Sequence, residues 1–98
     1  MIRLQKYAGG TFPIRLAGEG ERLKISSLVG GRKFQDRIFG IGLHVGAEID
    51  ILRNVGNGPV LIALNGSRMF LGGGMAYKIN VTPINGRKQG GKYGNQLT

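Results

Sequence analysis

Few residues in this chain are of types that do chemistry. His44 is the only histidine and there is no cysteine, so a Cys-His pair, a thiolate zinc site and a histidine-rich metal site are all excluded, and no Ser-His-Asp triad is expected. Glu48 and Asp50 stand two apart in an alternating stretch and therefore share one strand face. With His44 they are the candidates for holding a divalent transition metal, Fe(II) or Zn(II). The competing reading is two exposed acids on an edge strand and a solvent-facing turn histidine. Gly40 to Gly46 reads G-I-G-L-H-V-G, which misses G-x-G-x-x-G by one residue and follows a helical pattern instead of a strand. No G-x-x-x-x-G-K-[ST] occurs, so nucleotide binding by a P-loop is excluded. Gly72 to Gly74 offers either a backbone anion nest or simply a turn.

The charge is uneven. Fourteen Lys and Arg against five Asp and Glu leave a net charge of +9. Arg3, Lys6, Arg87, Lys88 and Lys92 lie near the two termini, while Pro13 to Thr82 keeps nine basic and five acidic residues. A basic terminus attracts nucleic acid, an anionic membrane surface or an acidic partner, or it only keeps the protein soluble. Base stacking calls for aromatics interleaved with cations on one face. Phe34 and Phe39 fall on the apolar face of a helix and Phe70 in a strand, so all three are expected in the core, and only Tyr77 is an expected exposed ring outside the termini. An RNA-binding barrel is accordingly the third reading, and nucleic acid is not the expected partner.

Around these residues the chain alternates short apolar runs with glycine clusters. Nineteen of 98 residues are glycine, against a usual share of about 7%, and without a G-X-Y period they mark tight turns between short strands. The organising stretch is Asp36 to Ile51. A helix from Arg32 to about Phe39, with Phe34, Ile38 and Phe39 as its apolar face, stops at Gly40 and Gly42, which suit positive φ. A strand then alternates over Ala47 to Leu52 with Ile49 and Ile51 inward. Upstream, Pro13 to Leu16 reads as extended with Ile14 and Leu16 on one face, and Arg22 to Leu28 as a strand with Leu23 and Ile25 inward. Downstream, Val60 to Leu64 reads as a strand covered on both faces. Asn65-Gly66 marks a type I′ hairpin, and Ser67 to Leu71 returns antiparallel. Met75 to Tyr77 forms a short turn or one helical turn, and Lys78 to Thr82 is a last strand with Ile79 and Val81 inward. Residues 1 to 12 are expected to be a flexible arm, and the polar, glycine-rich residues 83 to 98 a disordered basic tail.

This pattern predicts a mainly β fold. The expected form is a small SH3-like barrel of about five antiparallel strands with one short inserted helix, occupying residues 13 to 82. No apolar run approaches the roughly 18 residues that span a bilayer, and the N-terminus lacks the h-region of a secretory signal. The expected location is cytoplasmic, with at most a peripheral place at the inner face of the cell membrane.

Arg37 to Ile51, read as R-I-x-x-x-G-L-x-x-G-A-E-I-x-I, resembles the central signature of the FeoA family of ferrous iron transport proteins. The upstream P-I-R-L-A-G-E-G-E-R-L-K-I and the downstream P-V-L-I-A-L-N-G-S-R-M-F-L-x-x-G-M-A-x-K-I-x-V follow the same pattern from Pro13 to Val81. The chain departs from it at Gly72-Gly73, where family members often carry an arginine after the last leucine of the strand, so no role of that arginine transfers here. The resemblance implies a non-enzymatic, SH3-like accessory protein, monomeric or weakly dimeric. Its implied partner is the ferrous iron permease FeoB, which carries a cytosolic G-protein domain. It also implies kinship with the metal-associated C-terminal domains of iron-dependent repressors, which keeps metal sensing as the second reading. For such a partner, interface preferences point to Leu43, Met75 and Tyr77 as apolar anchors and to Arg37 and Arg68 as polar ones.

Overall fold

The computed structural model describes residues 10–84. Its strands are β1 (Phe12–Pro13), β2 (Arg22–Leu28), β3 (Glu48–Asn54), β4 (Val60–Leu64), β5 (Ser67–Leu71) and β6 (Ile79–Pro83), with helices α1 (Arg32–Gly40) and α2 (Gly73–Ala76) and a 3-10 turn at Ile14–Leu16. All strand pairs are antiparallel, and they form one six-stranded sheet in the order β1-β6-β2-β3-β4-β5. Register shifts between Ile25 and Ser27 and between Ile51 and Arg53 add local twist, which is how a short sheet curls round its own core. The result is an SH3-like barrel left open, with β1 and β5 as its edges.

Alternation places the core. Leu23 and Ile25 of β2, Ile49 and Ile51 of β3, Ile62 of β4 and Ile79 and Val81 of β6 are all wholly or almost wholly buried. Each such side chain contributes about 1.5–3 kcal/mol relative to its exposed state. α1 closes one side through Ile38, which is fully buried, with Phe34 half-buried beneath Lys78, whose Nζ lies 5.2 Å from the ring centroid. The hairpin turn is as expected, with Asn65 at φ 50 and Gly66 at φ 84, the conformation that a type I′ turn requires of both residues.

Several expectations are corrected. Phe12 pairs with Val81 and is buried, so the structured domain includes Phe12 and the arm expected over residues 1 to 12 does not extend that far. Pro83, the first residue assigned to the tail, is likewise the last of β6, while residues 1 to 9 of the expected arm and 85 to 98 of the expected tail lie outside the described residues. Ile14 to Leu16 winds as a 3-10 turn instead of an extended segment, and this parts Ile14, fully buried, from Leu16, which is exposed. Gly40 is the last helical residue, and only Gly42 has positive φ. Phe39 is 69% exposed. Ile38 points at the sheet, and a step of one residue turns the next side chain by about 100°. Phe70 is 68% exposed because period-two alternation in β5 sends Met69 and Leu71 inward instead. β4 likewise alternates, with Leu61 and Ala63 only half-buried, so its outer face is open.

Candidate docking surface

The corner between α1 and β3 is set by its backbone. The N–H of Gly42 donates to the carbonyl of Phe39 at 2.9 Å and that of Leu43 to Ile38 at 3.1 Å. With Gly42 at φ +98, this is the Schellman motif, which satisfies the last carbonyls of a helix and brings the residue after the glycine against the helix. Leu43 is thereby driven into the core at 0% exposure. It is not a docking anchor, contrary to the expectation from its place in a turn. The corner's outer surface carries Phe39, Ile41 and Val45 instead, all exposed.

Beside the corner, a groove of about 470 Å3 runs to the Asn65–Gly66 turn, and Arg22, His44, Glu48 and Asp50 line it together. The structure thus does gather the three residues considered for a metal, but it adds an arginine. Arg22 grips Asp50 through two contacts, Nε to Oδ1 and Nη2 to Oδ2, both at 3.1 Å, and reaches Glu48 Oε1 at 3.5 Å. His44 Nδ1 lies 3.1 Å from the carbonyl of Val45. Among the described residues no three His, Cys, Asp or Glu converge on a metal-sized site. Both carboxylates already have a cation, so a metal there would have to displace the fork of Arg22.

The remaining candidates are spread over separate elements. Arg37 is exposed on α1, Arg68 is exposed on β5, Met75 of α2 is half-buried against the core, and Tyr77 follows α2 at 60% exposure. Arg68 and Phe70 share the outer face of β5, over the half-buried Ala63 and Leu61 of β4 that stand opposite them. Phe70 was missed as a surface residue because S-R-M-F-L is apolar enough to hide its period. The alternation of Met69 and Leu71 about it was the available signal.

One polar cluster gave no sequence signal. Arg15 is 8% exposed, its Nη1 donating to the carbonyl of Gly58 at 2.6 Å and its Nη2 to Oδ1 of Asn54. Asn54 Nδ2 in turn donates to the carbonyls of Arg15 at 3.1 Å and Ala17 at 2.7 Å. The pair ties the 3-10 turn to the end of β3 and the loop before β4, and its partners are all internal, so it is structural.

Comparison with known proteins places these observations. Residues 12–83 match the family model described as the FeoA domain. A protein of Methanocaldococcus jannaschii named "Putative Fe(2+) transport protein A" is 34% identical over 70 residues, spanning 71% of this chain and 84% of the relative. A crystal structure of an iron uptake regulatory protein, FeoA, superposes with a TM-score of 0.66 at 28% identity, covering 74% of this chain and 95% of that one. A manganese-dependent transcriptional repressor superposes with a TM-score of 0.70 at 14% identity, covering 78% of this chain and 43% of the repressor. That last likeness is one of fold.

Proposed function

The chain belongs to the FeoA family, and from that premise we propose that it is a non-enzymatic accessory protein of ferrous iron transport, acting by binding the cytosolic G-protein domain of the FeoB permease. The observation that carries the reading is the FeoA domain match across residues 12–83, joined to a surface that suits protein recognition. A tight apolar core leaves Phe39, Val45, Phe70 and Tyr77 exposed, with the arginines Arg37 and Arg68 also at the surface. Exposed aromatic and arginine side chains are what interface centres favour. A cytoplasmic place follows from such a partner, and no helix among the described residues is long and apolar enough to cross a membrane. A metal-sensing role is the weaker reading, since Arg22 holds Glu48 and Asp50.

Calorimetry of the full chain against the permease's cytosolic domain tests the proposal. The expected result is saturable binding, weakened about tenfold or more by Tyr77→Ser or Arg68→Glu. Absence of binding in every nucleotide state of that domain would overturn it.

A further inference from the structure

β5 ends the sheet, with β4 on one side and no strand among the described residues on the other. The two-residue turn makes Leu64 and Ser67 a hydrogen-bonded pair, and alternation then assigns Ile62–Met69 and Val60–Leu71 to the same class. Ala63–Arg68 and Leu61–Phe70 are the open pairs, so the main-chain N–H and C=O of Arg68 and Phe70 point away from β4. No main-chain hydrogen bond from a turn or loop among the described residues reaches them. Such an edge is normally blunted by a covering element, a proline or a bulge. Here it is instead flanked by an exposed phenylalanine and an exposed arginine.

The ion pairs among the described residues are made by arginines of β2 and β3, and none is at this edge. Arg22 of β2 is paired with Glu48 and Asp50, and Arg53 of β3 lies 3.7 Å from Glu19. Arg68 of β5 has no carboxylate within 4.0 Å among the described residues. A second copy of the chain would bring the same net charge of +9 to the contact, which repels at low ionic strength. An acidic segment would be attracted.

We propose that the outer edge of β5 accepts, as a seventh strand hydrogen-bonded to the main chain of Arg68 and Phe70, an extended partner segment in which acidic and aliphatic residues take turns at every second position, so that one face carries both. Main-chain bonds supply the affinity common to strand addition, and the side chains select the partner. Arg68 meets a carboxylate, and Phe70 packs on an aliphatic neighbour. The inference rests on the reading of the chain as a binding module and names how it binds.

The test uses the full-length, 15N-labelled chain at low ionic strength with two synthetic six-residue probes, Glu-Thr-Val-Thr-Glu-Thr and the same peptide with Lys in place of Glu, each carrying its charged residues and Val on one face. The acidic peptide is expected to slow hydrogen exchange of the Arg68 and Phe70 amides and to bind about tenfold or more tightly than the lysine peptide. Phe70→Pro removes the outward N–H together with the ring but no bond to β4, a change that edge strands tolerate, and is expected to abolish the protection of the Arg68 amide, whereas Phe70→Ser, which keeps the N–H, is expected to weaken it only in part. Arg68→Glu, which leaves the backbone intact, is expected to reverse the preference between peptides. Protection elsewhere, or none, overturns the inference, as does equal binding of both peptides. Concentration-dependent protection of β5 without peptide overturns it in favour of a second copy. None of these outcomes depends on the permease, so a failure here is separable from a failure of the proposed function.

Discussion

The N–H of Leu43 donates to the carbonyl of Ile38 at 3.1 Å, and both side chains are fully buried. One residue that looks like a protruding turn anchor is therefore part of the bond that ends the helix. Leu43→Ala is expected to cost about 2–5 kcal/mol by leaving a core cavity, and Leu43→Glu to prevent folding by burying a charge. Gly42→Ala, which puts a Cβ at φ +98, is expected to cost about 1 kcal/mol. Chemical denaturation of the three variants checks this. A stable, folded Leu43→Glu protein would contradict the buried placement.

Arg15 and Asn54 act as one unit. Removal of either leaves buried polar groups without partners, at about 1–3 kcal/mol for each such group. Asn54→Ala and Arg15→Met are each expected to lower the denaturation midpoint, and the double variant to lose less than the sum, since the pair shares its bond. Additive losses in a double-mutant cycle would show that the two side chains stabilise the fold separately.

The groove should be a poor metal site while Arg22 is present. Calorimetry with Zn(II) at neutral pH is expected to give no saturable heat with the natural chain and weak heat with Arg22→Ala, which frees Glu48 and Asp50. The exposed ion pairs themselves contribute little, so Arg22→Ala is expected to change stability by less than about 1 kcal/mol. Tight binding by the natural chain would restore the metal reading.

Phe39 and Phe70 are both exposed, so Phe39→Ser and Phe70→Ser should each shift stability by no more than about 0.5 kcal/mol. A core position would lose several times that on truncation. Thermal unfolding separates the two outcomes for each ring.

The same exposure bears on RNA, because the sequence had suggested that these rings were sequestered. They stand on different elements, α1 and β5. RNA binding, if measured at low salt by fluorescence anisotropy, is expected to fall steeply with added salt as charge alone dictates, and to be unchanged in Phe39→Ser and Phe70→Ser. A loss of affinity in either variant at constant salt would show base stacking.

Much of the fold was legible in the chain because short strands write their period directly. Leu23 and Ile25, Ile49 and Ile51, and Ile79 and Val81 alternate with polar neighbours, and each pair is buried as that alternation requires. The Asn65–Gly66 turn was equally plain, since few residue pairs accept positive φ at both positions. The family pattern from Pro13 to Val81 was readable for the same reason, being an order of turns and strands. What the sequence could not express was which apolar residue at a junction turns inward. Leu43 is buried and Phe39 exposed because the Schellman bonds set the rotation of the chain as it leaves the helix. Phe70 is exposed because alternation turns Met69 and Leu71 inward and, among the described residues, no layer packs on the opposite face of β5. The cross-tie of Arg15 to Asn54, 39 residues apart, and the gathering of Arg22 with Glu48 and Asp50 are likewise decided only when the sheet curls. Local period records which side chains share a face, and only the packed sheet decides whether that face meets the core, a counter-charge or water.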